Sequence, residues 1–291
     1  MNASHSETPT FQHLYTAVDK NLRQSFNNFR SQVRPKEWEH EGISWRYLAL
    51  GEGRTGALFL PGAAGFYDIW WQQLIALSGD LRLISISYPS IGDLEGLRSG
   101  LNAILQHEGI ERFHVIGSSM GGYLAQYLAS IQSSTLMSAV FANTFVPGES
   151  ALRIAPLLRI SIDLVPLPML MSAFRWLSKR RLVPAGEDHP LLEAYLMETS
   201  YAGLKKGDLL SRYLCVTQRF TPCRPEDQRF PILIIDSDND PLIRPGIRTA
   251  LRQIYPRAQC HTFSQAGHFP YLNQAEVFTS LLHSFLLSPR G

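Results

Sequence analysis

Apolar residues along the chain fall into short runs that stop at glycine or proline, with longer stretches of helical spacing between them. Residues 57–60 (ALFL) close on Pro61-Gly62, residues 81–87 (LRLISIS) on Tyr88-Pro89, and residues 113–116 (FHVI) on Gly117. Residues 137–142 (MSAVFA) and 232–235 (ILII) complete the series. Short β-rich runs bounded by turns, with helices between them, predict βαβ units and a mostly parallel sheet. Ile43–Leu50 reads as an earlier antiparallel strand and Gln259–Phe263 as a last one. Helices are expected over residues 68–77, with Asp68 as N-cap, over Leu94–His107, over residues 121–131 and over residues 269–287.

The alternation stops between Phe145 and Gln228, where Pro147, Pro156, Pro166, Pro168, Pro184 and Pro190 break a helical pattern. The expected organisation is therefore a polar, partly helical extension (1–35), an α/β core in two pieces (36–144 and 229–291), and an inserted helical cap (145–228). The cap is expected over the carboxyl edge of the sheet, where open α/β sheets bind ligands.

Composition narrows the class of protein. Hydrophobic residues make up 45% and charged residues 18% of the 291, values that suit a globular chain and exclude disorder. The net charge of +2 does not concentrate basic residues as a nucleic-acid binder would. The three cysteines, Cys215, Cys223 and Cys260, are odd in number and widely spaced, which favours structural thiols in a reducing compartment and gives no zinc pattern. No basic and apolar leader opens the chain, and no stretch is apolar enough to span a bilayer, so a cytoplasmic protein without a transmembrane segment is expected. Arg175, Lys179, Arg180 and Arg181 form a basic cluster, read as a solvated face and, second, as a contact for anionic lipid or an acidic substrate tail.

Chemistry enters with Gly117-Ser118-Ser119-Met120-Gly121, a G-x-S-x-G pattern that follows a β run and opens a helical one. A nucleophilic serine must project from a sharp strand-to-helix turn, and glycines two positions either side remove side chains that would collide there. Such a serine needs a base, and the base an orienting acid, in the chain order Ser, Asp or Glu, His. Asp236, Asp238 and Asp240 follow together in IIDSDNDP; Asp240, on the loop before Pro241, is preferred and Asp238 is second. The base is His268, between the last expected strand and the last helix, with Gly267 freeing the loop; His261 sits in the β run, and His189 is expected to be exposed.

An oxyanion hole requires the N–H after the nucleophile, Met120, and a second from an earlier strand-to-helix loop. Pro61-Gly62-Ala63-Ala64-Gly65 supplies it, from Ala63 or else Ala64. Phe66, Tyr67, Tyr88 and Tyr123 are candidates to line the substrate pocket by their positions next to these loops.

Taken together, elbow, acid loop, His loop and Pro-Gly loop resemble the α/β-hydrolase family. Within it, LFLPG, SYPS, GGYLAQYLAS, FANTF and AGHFPYLNQAEVF are similar to the maspardin branch. The wider resemblance implies an acyl-transfer enzyme that needs no cofactor and no metal and acts on a small-molecule substrate. The Leu, Ile, Met and Phe of the expected cap favour an apolar acyl or alcohol group, such as a carboxylic ester or thioester. The narrower resemblance implies an intracellular adaptor with a protein partner and little hydrolysis. That branch lacks a histidine at the position of His268, so this chain departs from it toward catalysis.

Overall fold

The computed structural model describes residues 10–131, 134–147 and 162–288; residues 148–161 of the expected cap and the first nine residues lie outside them. Eight strands form one sheet: β1 (Lys36–His40), β2 (Ile43–Leu50), β3 (Gly56–Leu60), β4 (Arg82–Ser87), β5 (Phe113–Ser118), β6 (Leu136–Ala142), β7 (Ile232–Ser237) and β8 (Gln259–Phe263). Their order is β1-β2-β4-β3-β5-β6-β7-β8. β2 runs antiparallel to β1 and β4, and every other pairing is parallel, as the apolar runs predicted. Strands β3, β5 and β7 are buried from end to end because helices cover both faces of the sheet. Strand order reverses between β3 and β5, paired with Phe59 opposite Ile116, and a crevice at the carboxyl ends of strands is expected at such a point.

The helices are α1 (Phe11–Leu14), α2 (Lys20–Gln32), α3 (Trp71–Leu77), α4 (Leu94–His107), α5 (Met120–Ile131), α6 (Leu167–Leu177), α7 (Pro190–Ala202), α8 (Lys206–Thr217), α9 (Pro245–Ile254), α10 (Pro270–Asn273) and α11 (Ala275–Leu287). On one face, Leu97, Leu101 and Ile104 of α4 pack with Leu124 and Leu128 of α5 and Leu251 of α9. On the other, Phe26 of α2, Trp71 and Leu74 of α3, and Phe278 and Leu282 of α11 share a second core. Side chains start two of these helices as sequence chemistry predicts: Asp93 Oδ1 accepts from Gly96 N–H at 2.6 Å, and Asp19 Oδ1 from Asn21 and Leu22 N–H at 2.9 and 3.0 Å.

Four expectations need correction. Strand β1 was not legible, because Lys-Glu-Trp-Glu-His carries no apolar alternation. Helix α3 starts at Trp71, and Asp68 does not cap it with its side chain. The last helical pattern is two helices, broken at Gln274, where φ is −123° and ψ is 43°. His189 is half-buried rather than exposed, and its buried Nδ1 has no partner among the described residues.

Between β6 and β7, α6 continues through a π-helical turn, Ser178–Leu182, into α7 and α8. Leu191, Leu192, Tyr195 and Leu196 of α7 join the same core as Trp70 and Trp71. Lys179, Arg180 and Arg181 are exposed, and Arg175 lies 4.6 Å above the Tyr201 ring.

The N-terminal helices are bound into this layer. Tyr15 and Phe26 are fully buried. Arg30 spans two carboxylates, 2.7 Å from Asp68 and 2.8 Å from Glu198. Tyr15 donates to Glu198 at 2.6 Å, and Tyr195 to Asp68 at 2.8 Å. Asp68 is thus held by a tertiary ion pair instead of a helix end.

Candidate active site

The carboxyl end of β5 turns sharply into α5 at Ser119, whose φ is +54°. Left-handed backbone costs a residue with a Cβ roughly 1–2 kcal/mol, so the surrounding packing has to impose it. Two glycines make the turn possible. A Cβ on Gly117 would lie 2.1 Å from the Gly121 carbonyl oxygen, and one on Gly121 would lie 2.1 Å from that of Leu60. Ser119 N–H donates to Ala142 O at 3.0 Å, while its own carbonyl accepts from Tyr123 N–H at 3.0 Å and from the Thr144 hydroxyl at 2.6 Å. Ser119 itself is half-buried; its neighbour Ser118 is fully buried.

Asp240 lies on the loop after β7 and His268 on the loop after β8. His268 Nδ1 is 2.8 Å from Asp240 Oδ2, and the two side chains are 3% and 0% exposed. Asp240 Oδ1 accepts from the N–H groups of Leu242 and Ile243 at 2.8 and 3.1 Å. Asn143, one residue past β6, donates its amide to Oδ2 at 2.9 Å. Burial alone would push this carboxyl up; His268, Asn143 and the Leu242 N–H outweigh it and hold it below the ordinary aspartate range. The group is therefore a carboxylate that only accepts, so the His268 Nδ1 facing it carries a proton, and the tautomer this fixes for a neutral ring has Nε2 as its acceptor.

The other two aspartates have different partners. Asp238 accepts from Gln265 N–H at 2.9 Å and from the Ser264 hydroxyl at 3.1 Å, shaping the His loop. Asp236 is held by Arg252 at 2.6 Å and by Thr262 at 2.8 Å.

The Pro-Gly loop lies against the serine. A Cβ on Gly62 would sit 3.3 Å from Ser119 Cβ and 3.9 Å from its Oγ. Met120 is buried and opens α5, where the first N–H groups have no intrahelical acceptor. Ala63 is exposed, and its carbonyl accepts from Arg212 Nη1. Tyr88 is buried and donates to Pro61 O at 2.9 Å, tying the loop after β4 to the loop after β3. Tyr123 is buried too, stacked 5.0 Å from Phe145 and donating to Gln218 O at 2.5 Å. Phe66 and Tyr67 line an open cavity of about 380 Å³ together with Arg30, Arg46, Asp68, Tyr195 and Glu198. Ser119 and His268 are not among that cavity's lining residues.

Two residues of the site were not found in the sequence. Asn143 has φ +42°, a conformation that asparagine tolerates better than most residues, and its position directly after a buried strand run was the available signal. Arg212 lies inside a helical pattern that reads as ordinary packing.

Sequence and fold match known proteins. A model of the alpha/beta hydrolase family matches residues 57–280. Maspardin of Danio rerio is 27% identical over 264 residues, covering 87% of this chain and 82% of that protein. Among solved structures, the enol-lactonase of Burkholderia xenovorans LB400 superposes with a TM-score of 0.72 at 20% identity, covering 86% of this chain and 99% of that one. The esterase RhEst1 of Rhodococcus sp. ECU1013 gives 0.69 at 20%, covering 88% and 98%. The chain belongs to the α/β-hydrolase family. Within that family it resembles maspardin.

Proposed function

We propose that the chain is a serine hydrolase cleaving a carboxylic ester or thioester through an acyl-Ser119 intermediate. The observation that carries this reading is the buried Asp240–His268 pair, with Asp240 saturated by donors at the carboxyl edge of the sheet that also bears Ser119 in its left-handed turn.

His268 Nε2 takes the Ser119 proton as Oγ attacks the substrate carbonyl. Asp240 stabilises the imidazolium that forms. The N–H groups of Met120 and Ala63 receive the oxyanion. His268 then protonates the departing alcohol or thiol, and a water molecule repeats the cycle to release the acid. The helical segment between β6 and β7 serves as the cap. The likeness to maspardin supports a second reading, an interaction protein that works without turnover.

Fluorophosphonate labelling followed by peptide mass mapping separates the two. A hydrolase gives one adduct on Ser119, absent from Ser119→Ala and strongly slowed in His268→Ala. Folded wild-type protein that takes no label supports the interaction reading.

A further inference from the structure

Arg212, on α8, is 3% exposed. Among the described residues its one hydrogen bond runs to the Ala63 carbonyl, and its Nε is buried with no acceptor. The carboxylate that acts on it is that of Asp208, which makes no ion pair with it and is taken by the Ser90 hydroxyl at 2.6 Å and the Lys205 N–H at 2.8 Å. Two rings wall the guanidinium: Phe66 and Tyr88, each 5.8 Å from its central carbon.

A buried lysine can shed its proton; an arginine does not. Burial depresses the proton affinity of Arg212, yet the group stays charged, and a desolvated cation without a counter-ion is costly. Fastening α8 to the oxyanion loop accounts for Nη1. It does not account for the charge, since a neutral donor would hold a carbonyl as well, nor for the orphaned Nε. Among the described residues no carboxylate is ion-paired with Arg212, and the planar fork suits one.

The location fits a substrate group. Ala63 is the proposed oxyanion donor, and the preceding residue, Gly62, packs on Ser119. We propose that Arg212 is a carboxylate subsite, and that the natural ester or thioester carries a carboxylate near its scissile carbonyl. The placement of that carbonyl rests on the hydrolase reading above. The subsite narrows the apolar acyl group expected from composition: apolar walls, with one charge read by one arginine.

The test compares two pairs of esters that differ in charge. The p-nitrophenyl hemiester of glutarate against p-nitrophenyl pentanoate places the carboxylate on the acyl side. The acetate ester of p-hydroxybenzoate against that of p-hydroxybenzamide places it on the leaving group. In one pair the wild-type protein is expected to favour the anionic ester by roughly tenfold or more in kcat/KM. Arg212→Gln is expected to lose that preference, its anionic ester falling by roughly tenfold more than its neutral one, and Arg212→Lys to retain part of it.

Indifference to charge in both pairs overturns the subsite, and so does an equal loss on charged and neutral esters in Arg212→Gln, which would leave Arg212 only the task of fixing Ala63. Absence of fluorophosphonate label on wild-type Ser119 is failure of the hydrolase reading instead. Glutarate itself then tests the subsite. A glutarate-dependent rise in Tm, absent from Arg212→Gln, upholds it, and no rise in the wild-type protein overturns it.

Discussion

Asn143 donates to the same carboxylate oxygen of Asp240 that receives His268, at 2.9 Å beside 2.8 Å. The Asn143 amide also lies 3.2 Å from the Gly267 carbonyl, next to His268 in the chain. One side chain at the end of β6 therefore holds both the acid and the loop of the base.

Removing that amide should weaken both. A hydrogen bond to a charged group contributes about 1.5–3 kcal/mol, and alanine at a left-handed position adds roughly 1–2 kcal/mol of strain. Asn143→Ala is expected to lose about 2–4 kcal/mol in urea unfolding. Asn143→Gly, which tolerates the backbone, should lose less. Both should slow Ser119 labelling, and an alanine variant clearly more stable than the glycine variant would show that the backbone is unstrained.

Acid should erode the stability that Asp240 contributes. Its carboxyl is held below the ordinary value, so the folded state binds that proton less readily than the unfolded chain does. The resulting stability is complete above the unfolded pKa of about 3.9 and is lost as pH falls through the lower folded value. Below about pH 4 the wild-type urea midpoint should therefore fall more steeply than that of Asp240→Asn. Parallel slopes would exclude Asp240 as a source of acid lability.

The elbow stores strain that a substitution can release. Ser119→Ala keeps the Cβ in the left-handed region; Ser119→Gly removes it and gives back part of the gain as unfolded-chain entropy. Both variants should refuse the fluorophosphonate. The glycine variant should nevertheless be more stable than the alanine variant by about 1 kcal/mol in urea unfolding.

Arg30 is the other buried junction. Arg30→Met strands Asp68, whose side chain is 8% exposed, beside Glu198. Loss of one partner from a buried ion pair costs about 3–5 kcal/mol, and the partial exposure of Arg30 brings the expectation to about 2–3 kcal/mol. Limited proteolysis should then cut ahead of Lys36. Adding Asp68→Asn and Glu198→Gln should restore part of the loss.

Much of this was legible from the chain. Strands β3 to β7 announced themselves because both of their faces are apolar and each run ends at a turn residue or a change of pattern. As candidates, Ser119, Asp240 and His268 were legible from their chain order and from the glycines beside Ser119 and His268. Strand β1 was hidden, since Glu37, Glu39 and Lys36 line an exposed edge that owes its pairing to β2. Asp68 was misread, because a carboxylate ahead of a helix looks the same whether it caps that helix or binds an arginine from a segment 38 residues earlier. Asn143 and Arg212 act through partners distant in sequence, and local patterns carry no trace of such partners.

The bond from Tyr15 to Glu198 closes a loop of 183 residues, and that from Arg30 to Glu198 one of 168. At about 5–20 residues per second, a ribosome delivers Glu198 roughly 10–30 s after Arg30. The opening helices must wait through that interval without their partner. During synthesis the first part of the chain made is thus among the last to be locked in place, and a nascent chain halted before Glu198 would expose a tyrosine that the finished protein keeps covered and leave Arg30 without one of its two carboxylates.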